Sequence, residues 1–139
     1  MRVLGVDIGL RRIGLALSDA SGLLASPWKT IEATANPVSD AERIASTIGG
    51  VDDGVQAIVV GHPRRLDGSP TELTAHVEAL AADLRTRVKV PVVLQDERLT
   101  SREAEALLAE RHRDWRKRKT KLDAAAAAVL LQDYLDSIR

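Results

Sequence analysis

The 139-residue chain carries 20 basic and 20 acidic side chains, for a formal net charge of zero, and has no cysteine. A chain of that length suits one domain, 1–139, burying roughly two-thirds of the surface its unfolded form would expose. The lack of thiols excludes a disulfide framework, thiolate zinc sites and cysteine nucleophiles, and fits a reducing compartment. No charged-then-apolar-then-small leader pattern opens the chain. The longest apolar stretch, Ala124 to Gln132, is far short of the ~20 residues of a membrane span. These readings predict a soluble, cytoplasmic protein with no membrane partner. Aromatic residues make up 2% and Phe is absent, so Ala, Val, Leu and Ile must fill the core, which suits a sheet covered by Ala-rich helices. The neutral total conceals an asymmetry. RHRDWRKRKTK (111–121) holds seven Lys/Arg and one Asp, a net of +6, so the other residues sum to −6. A globally basic nucleic-acid binder is not indicated, but a locally basic patch is.

The predicted elements begin with a buried strand over about 2–8, followed by a turn through Gly9 and Leu10–Arg12 and a second strand, Ile13–Ser18. After the turn Asp19–Gly22, a third strand lies near Leu23–Ile31, and the three form an antiparallel meander. Asn36-Pro37 supplies a cap and a first-turn proline for a helix ending at Gly49-Gly50. Val55–Val60 is a short apolar run of the kind buried on both faces. After the loop GHPRRLDGSP, Ser69-Pro70-Thr71-Glu72 reads as a capping box opening a helix to about Arg87. VPVVL (90–94) is another buried strand. Thr100 and Glu103 form a second capping box, for a helix ending near Arg111. The basic segment then leads into a last helix from about Leu122 to Ile138. Parallel strands need right-handed crossovers, so the simplest architecture is an α/β fold. Its five-stranded mixed sheet has the order 3-2-1-4-5, with helices on both faces. Sites in open α/β sheets form outside the carboxyl ends of the strands.

Asp7 sits at such an end, between Val6 and Ile8. A buried carboxylate is costly unless it is paired or holds a metal. Asp96-Glu97 follows the VPVVL strand, and Asp123 precedes a run of five alanines whose small side chains bring a helix close to the sheet. Three acids on three rigid elements suit Mg²⁺ or Mn²⁺, which prefer carboxylate and water oxygens. Two such ions can activate a water and stabilise a phosphodiester's leaving oxygen. Each acid also has an ordinary structural reading. Asp7 could be satisfied by turn amides, Asp96 and Glu97 could simply end a strand, and Asp123 could be a first-turn acid favoured by the helix dipole. No HExxH or clustered His pattern favours zinc.

Four blocks, GVDIGLRRIGLALSD (5–19), IVVGHPRRLDGSPTE (58–72), DERLTSREAE (96–105) and KLDAAAAAVLLQDYLD (121–136), resemble the YqgF family, also called Holliday-junction-resolvase-like or pre-16S rRNA nucleases. Together they span nearly the whole chain in the family's order. The resemblance implies a ribonuclease H-like fold and places the family's acidic residues at Asp7, Glu97 and Asp123 as catalytic, metal-binding positions. The loop Gly61-His62-Pro63-Arg64-Arg65 departs from the family's pattern in being more basic.

Other residues have physical readings beside the resemblance. Gly14 would be tolerated where a backbone or ligand comes close, and Gly9 and Gly14 would keep side chains out of the space above the metals. Arg11 and Arg12 could hold a phosphate or be solvated turn charges. Arg98 could orient Glu97, contact a nucleic-acid backbone or form an internal salt bridge. His62 ends the fourth strand as a satisfied loop histidine or a substrate contact. Arg113, Arg116, Lys117, Arg118, Lys119 and Lys121 could neutralise phosphates with a strong salt dependence, and Trp115 could stack on an unpaired base. The alternative is a solvated charged loop.

The leading expectation is a metal-dependent endo- or exonuclease acting on nucleic acid. The resemblance points to 5′-end processing of pre-16S rRNA, or to branched DNA as in Holliday junction resolution, which would imply a symmetric homodimer rather than a monomer. A non-catalytic nucleic-acid-binding module is the second reading. A third is an actin-like ATP-binding domain, because DIGLRRIG resembles a phosphate-binding D-x-G turn. Such ATPases enclose the nucleotide between two domains, which one domain of this length does not supply.

Overall fold

The structure, a computed structural model, describes residues 1–65, 67–96 and 115–138, the stretch 115–122 as helix backbone. Strand β1 (Arg2–Ile8) has four consecutive buried residues, Val3 to Val6. Leu4, Val6 and Ile8 point into one core and Val3 into another. Side chains alternate between the faces with period two, and the continuous buried run marks a strand covered on both. Strand β2 (Arg12–Ser18) returns antiparallel beside it, and β3 (Ala25–Glu32) beside β2. Helix α1 (Pro37–Ile48) crosses over to β4 (Val55–His62), which pairs parallel with β1. Helix α2 (Glu72–Arg87) crosses to β5 (Val92–Asp96), parallel to β4. Helix α3 (Trp115–Ser137) closes the described chain. The sheet order is β3-β2-β1-β4-β5, as the crossover argument predicts.

The two faces are filled differently. On one, α1 and α2 pack Ile44, Val77, Leu80 and Leu84 against Leu4, Val6, Ile13, Leu15 and Ile58. On the other, among the described residues, α3 packs Ala127, Leu130, Leu131 and Leu135 against Val3, Ala16 and Val59. Large aliphatic side chains separate the first pair of layers, whereas alanines and glycines draw the second pair together. A Cβ built on Gly5 would lie 2.8 Å from Leu131 Cβ and 3.0 Å from the Ala127 carbonyl oxygen. The helix therefore rests almost on the strand backbone.

Of the boundaries that differ from the sequence expectation, four have a local reason. Strand β3 begins at Ala25 rather than Leu23, because Asp19 Oδ1 accepts from the amides of Leu23 and Leu24 (2.8 and 3.0 Å) and holds them in the turn. The Ser21 hydroxyl, the largest influence, together with those amides lowers the Asp19 carboxyl to about 2. Strand β5 begins at Val92, two residues later than expected, because Pro91 has no N–H to give to the ladder. The cap of α2 is Thr71, whose amide donates to Thr74 Oγ1 at 2.7 Å. Ser69 is held instead by Asp67, through its amide and its hydroxyl. Finally, α3 begins at Trp115 rather than about Leu122, so Trp115–Lys121 is helix and not a charged loop. Lys and Arg are good helix formers, losing little rotamer freedom there. The helix expected to end near Arg111 lies outside the described residues.

Leu131 is fully buried against Gly5. Its replacement by Ala opens a cavity that neighbouring elements cannot easily close. Leu131→Ala is expected to lower stability by about 2–5 kcal/mol, read as a fall in the urea midpoint at unchanged slope; an unchanged midpoint would contradict this packing.

Candidate functional site

The carboxyl ends of β1, β4 and β5 share one edge of the sheet, and β2 starts there because it runs the other way. Asp7, half-buried, is the cross-strand partner of Gly14. Directly opposed residues present their side chains to the same face. That face is α3's, since Val3 and Ala16 on it pack against the helix. A Cβ on Gly14 would lie 1.9 Å from the Asp123 carbonyl oxygen and 2.2 Å from its carbonyl carbon. The missing side chain at 14 thus admits the backbone of α3; of the backbone or ligand approach that a strand glycine permits there, it is the backbone that comes close. The close approach of α3 seats the Asp123 backbone on Gly14, the cross-strand partner of Asp7.

The contacts along α3 fix its direction. Asp123 meets Gly14, Ala127 meets Gly5, and Gln132 reaches the far end, accepting from the Ala25 amide and donating to the Leu23 carbonyl, both at 2.9 Å. The helix runs antiparallel to β1, with its first turns on the side of the sheet where β1 ends. Eight residues of helix, Trp115 to Leu122, precede Asp123, about 12 Å at 1.5 Å per residue. Asp123 therefore sits more than two turns inside the helix. The first-turn dipole reading of this acid falls, because that effect fades within the first turn. The backbone of Trp115, Arg116, Lys117, Arg118, Lys119 and Lys121 belongs to the same helix.

Asp123 is not a bare carboxylate. Arg12 Nε donates to its Oδ2 at 2.8 Å, and both side chains remain about a third exposed, 36% and 29%. Arg12 is anchored by the tight turn that follows β1, in which the Gly9 amide donates to the Arg12 carbonyl at 2.9 Å. A Cβ at Gly9 would come within 2.7 Å of that carbonyl oxygen, which accounts for a glycine there. Arg11, at the tip of the turn, is exposed. Gly9, Leu10, Arg11, Arg12 and Asp123 line an open cleft of about 350 Å³. The cleft thus combines two guanidinium groups with an acid, and Asp7 stands on the same face of the adjacent strand.

Not every expected residue converges here. His62 stands on the other face, where its Nε2 lies 3.1 Å from Glu78 Oε1 and its Nδ1 accepts from Arg64 Nε at 3.4 Å. Both ring nitrogens are thus partnered, and His62 is a satisfied histidine at the end of β4. Asp96 is the register partner of His62 and shares its face. Glu97, Arg98 and Arg113 lie outside the described residues. Among the described residues there is no group of three His, Cys, Asp or Glu side chains able to hold a metal. The sequence reading also passes over Asp40, which is fully buried on α1, accepts from the Thr34 amide and hydroxyl at 2.8 Å each, and lies 3.9 Å from His76 Nε2. A first-turn acid and a mid-helix histidine carry no local signal of burial.

The comparisons with known proteins bear on the family and the fold. Residues 1–137 match a family model described as "RuvX: Holliday junction resolvase". A relative from Halalkalibacterium halodurans, named "Putative pre-16S rRNA nuclease", is 41% identical over 137 residues, covering 98% of this chain and 96% of the relative. Relatives of the same name from Desulforudis audaxviator and Geobacillus kaustophilus are each 40% identical, covering 99% and 100% of this chain and 95% and 100% of their own. Among solved structures, T. thermophilus RuvC in complex with a Holliday junction substrate aligns with a TM-score of 0.58 at 16% identity, covering 99% of this chain and 96% of that one. Fowlpox virus resolvase in complex with Holliday junction DNA aligns at 0.61 and 12% identity, covering 99% of each. The fold is ribonuclease H-like.

The Gly14 contact is testable alone. In Gly14→Ala the new methyl meets helix backbone, which cannot swing aside as a flexible side chain would. The substitution is expected to cost about 1–3 kcal/mol, toward the upper end, and to shift the amide resonances of Asp123–Ala127 more than those of α1. Wild-type stability and an unperturbed α3 would refute the contact.

Proposed function

The chain belongs to the RuvX (YqgF) family of Holliday-junction-resolvase-like nucleases, and from that premise we propose that it hydrolyses phosphodiester bonds in the 5′ region of precursor 16S rRNA, using divalent cations. The observation that carries the reading is the juxtaposition at the sheet's carboxyl edge: Asp7 opposite Gly14, with the Asp123 segment of α3 seated on that glycine. Glu97, the residue after the end of β5, is the third acid of the proposal. The choice of RNA over branched DNA follows the naming of relatives at about 40% identity.

The donor set fits a hard cation in kind. Asp7, Glu97 and Asp123 offer carboxylate oxygens alone, the ligands Mg²⁺ and Mn²⁺ take, and no sulfur or clustered imidazole competes. When bound, such ions lower the pKa of a water and stabilise charge on the attacking and leaving oxygens. The chain's own residues supply the rest. Rigid strand and helix backbones hold Asp7 and Asp123 in place, so the acids need little reorganisation when charge develops. Arg11, at the exposed tip of the turn, meets a backbone phosphate. Arg116, Lys117, Arg118, Lys119 and Lys121 precede Asp123 on one continuous helix, and their charges draw the nucleic acid toward the acids with a strong salt dependence. Trp115 begins that helix and supplies a surface on which an unpaired base stacks. Arg98 and Arg113 extend the basic contribution.

The test compares wild type with Asp7→Asn on a precursor-rRNA fragment and on a four-way DNA junction, in Mg²⁺, in Mn²⁺ and with chelator. Metal-dependent cleavage of the RNA, reduced about a hundredfold or more in Asp7→Asn, is the expected result. Cleavage of the junction in preference to the RNA would move the substrate to branched DNA. Binding without cleavage, indifferent to chelator and to Asp7→Asn, would replace the nuclease with a binding module.

A further inference from the structure

We propose that Arg12 is an internal counter-cation for Asp123, holding the carboxylate until a divalent ion displaces it and then becoming available to a nucleic-acid phosphate. The inference rests on the cation-binding reading given above. It starts from the 2.8 Å contact between Arg12 Nε and Asp123 Oδ2. The carboxylate expected to take the ion is already neutralised by a side chain of the same chain.

The two partners are anchored in a way that permits exchange of side chains without movement of the backbone. Arg12 is fixed by the turn bond from the Gly9 amide and by its pairing with Glu32 in β3. Asp123 is fixed by the contact of its own carbonyl with Gly14. Only the two side chains are free to part, and they do so into the open cleft of about 350 Å³ that both line, next to the exposed Arg11.

Exposure decides whether the exchange is practicable. A fully buried pair would hold the carboxylate against any competitor, since separating it strands a charge away from water. Here both side chains are about a third exposed, and water can solvate each as they separate. Pairs of that kind are weak. The guanidinium suits the second role as well, because its planar set of donors matches a phosphate. Ion and nucleic acid would then bind with mutual reinforcement, since each favours the state in which Arg12 has left Asp123.

Calorimetric titration with Mn²⁺ alone, on the intact chain and without nucleic acid, tests the idea apart from catalysis. Arg12→Gln is expected to tighten Mn²⁺ binding by about two- to fivefold, the factor by which a partly exposed pair would have competed. Arg11→Gln removes the same charge from the same turn but not the bond to Asp123, and is expected to leave the affinity near wild type. In the Asp123→Asn background, Arg12→Gln should have no further effect, which makes the coupling specific to the pair. Equal gains from Arg11→Gln and Arg12→Gln would reduce the effect to general turn charge and overturn the proposal. Wild-type binding unchanged by Arg12→Gln would overturn it while leaving the cation site standing. No Mn²⁺ uptake in any variant would overturn both.

Discussion

The contact between Gly14 and the backbone of α3 is the constraint on which the rest of the molecule depends. Hydrogen at that one α-carbon lets a helix carbonyl come where a methyl would stand 1.9 Å away. Gly5 allows the same thing one turn further along, against Ala127 and Leu131. Close packing there gains dispersion contacts that a bulkier interface would spread over a wider gap. It also sets the height of Asp123 above the sheet, since a helix resting on strand backbone has little freedom to rise or slide. The fold's covering helix and the candidate site's second acid are thus positioned by the same contact.

The edge of the sheet divides into a rigid part and an exchangeable part. Asp7 belongs to the central strand, with β2 and β4 on either side, and Asp123 lies more than two turns inside a long helix. Neither backbone can move without disturbing the core. The arginines of the intervening turn are different. Their backbone is tied down, but their side chains reach into an open cleft. A site that handles a polyanion benefits from this division, because acids on fixed elements keep their spacing while flexible cations adapt to the phosphates. The basic turns of α3 add charge without adding a separate binding element, for they are a continuation of the helix that carries the acid.

Much of this was legible in the residues. The buried strand read over residues 2–8, the apolar run of β4, and the rule that crossovers separate parallel strands lead to the observed sheet order without any contact being known. Asp7 stands out as a carboxylate at the end of a buried strand, and Asp123 as a lone acid before a run of alanines. What the sequence concealed is instructive. Seven helical residues before Leu122 read as a charged loop because the eye weighs charge above propensity, although Lys and Arg favour helix. That misplaced start made Asp123 look like a first-turn acid. Gly14 read as a place where a backbone or a ligand comes close, and nothing local says which of the two a strand glycine faces. Ser69 has the spacing of a cap but is engaged by Asp67, so Thr71 takes the position. The Arg12–Asp123 bond joins residues 111 positions apart, and no local pattern announces such a pair.

The most direct test of the account is paramagnetic broadening by Mn²⁺ in amide spectra of the wild-type protein at low ion-to-protein ratio. If the Gly14 contact brings Asp7 and Asp123 to a common cation site, the amides of Asp7, Gly14 and Asp123 should broaden first and together, while those of Asp52 and Asp53 at the opposite end of the sheet stay sharp. Broadening centred on exposed acids elsewhere, with Asp7 and Asp123 untouched, would contradict the central claim that one backbone contact assembles the site.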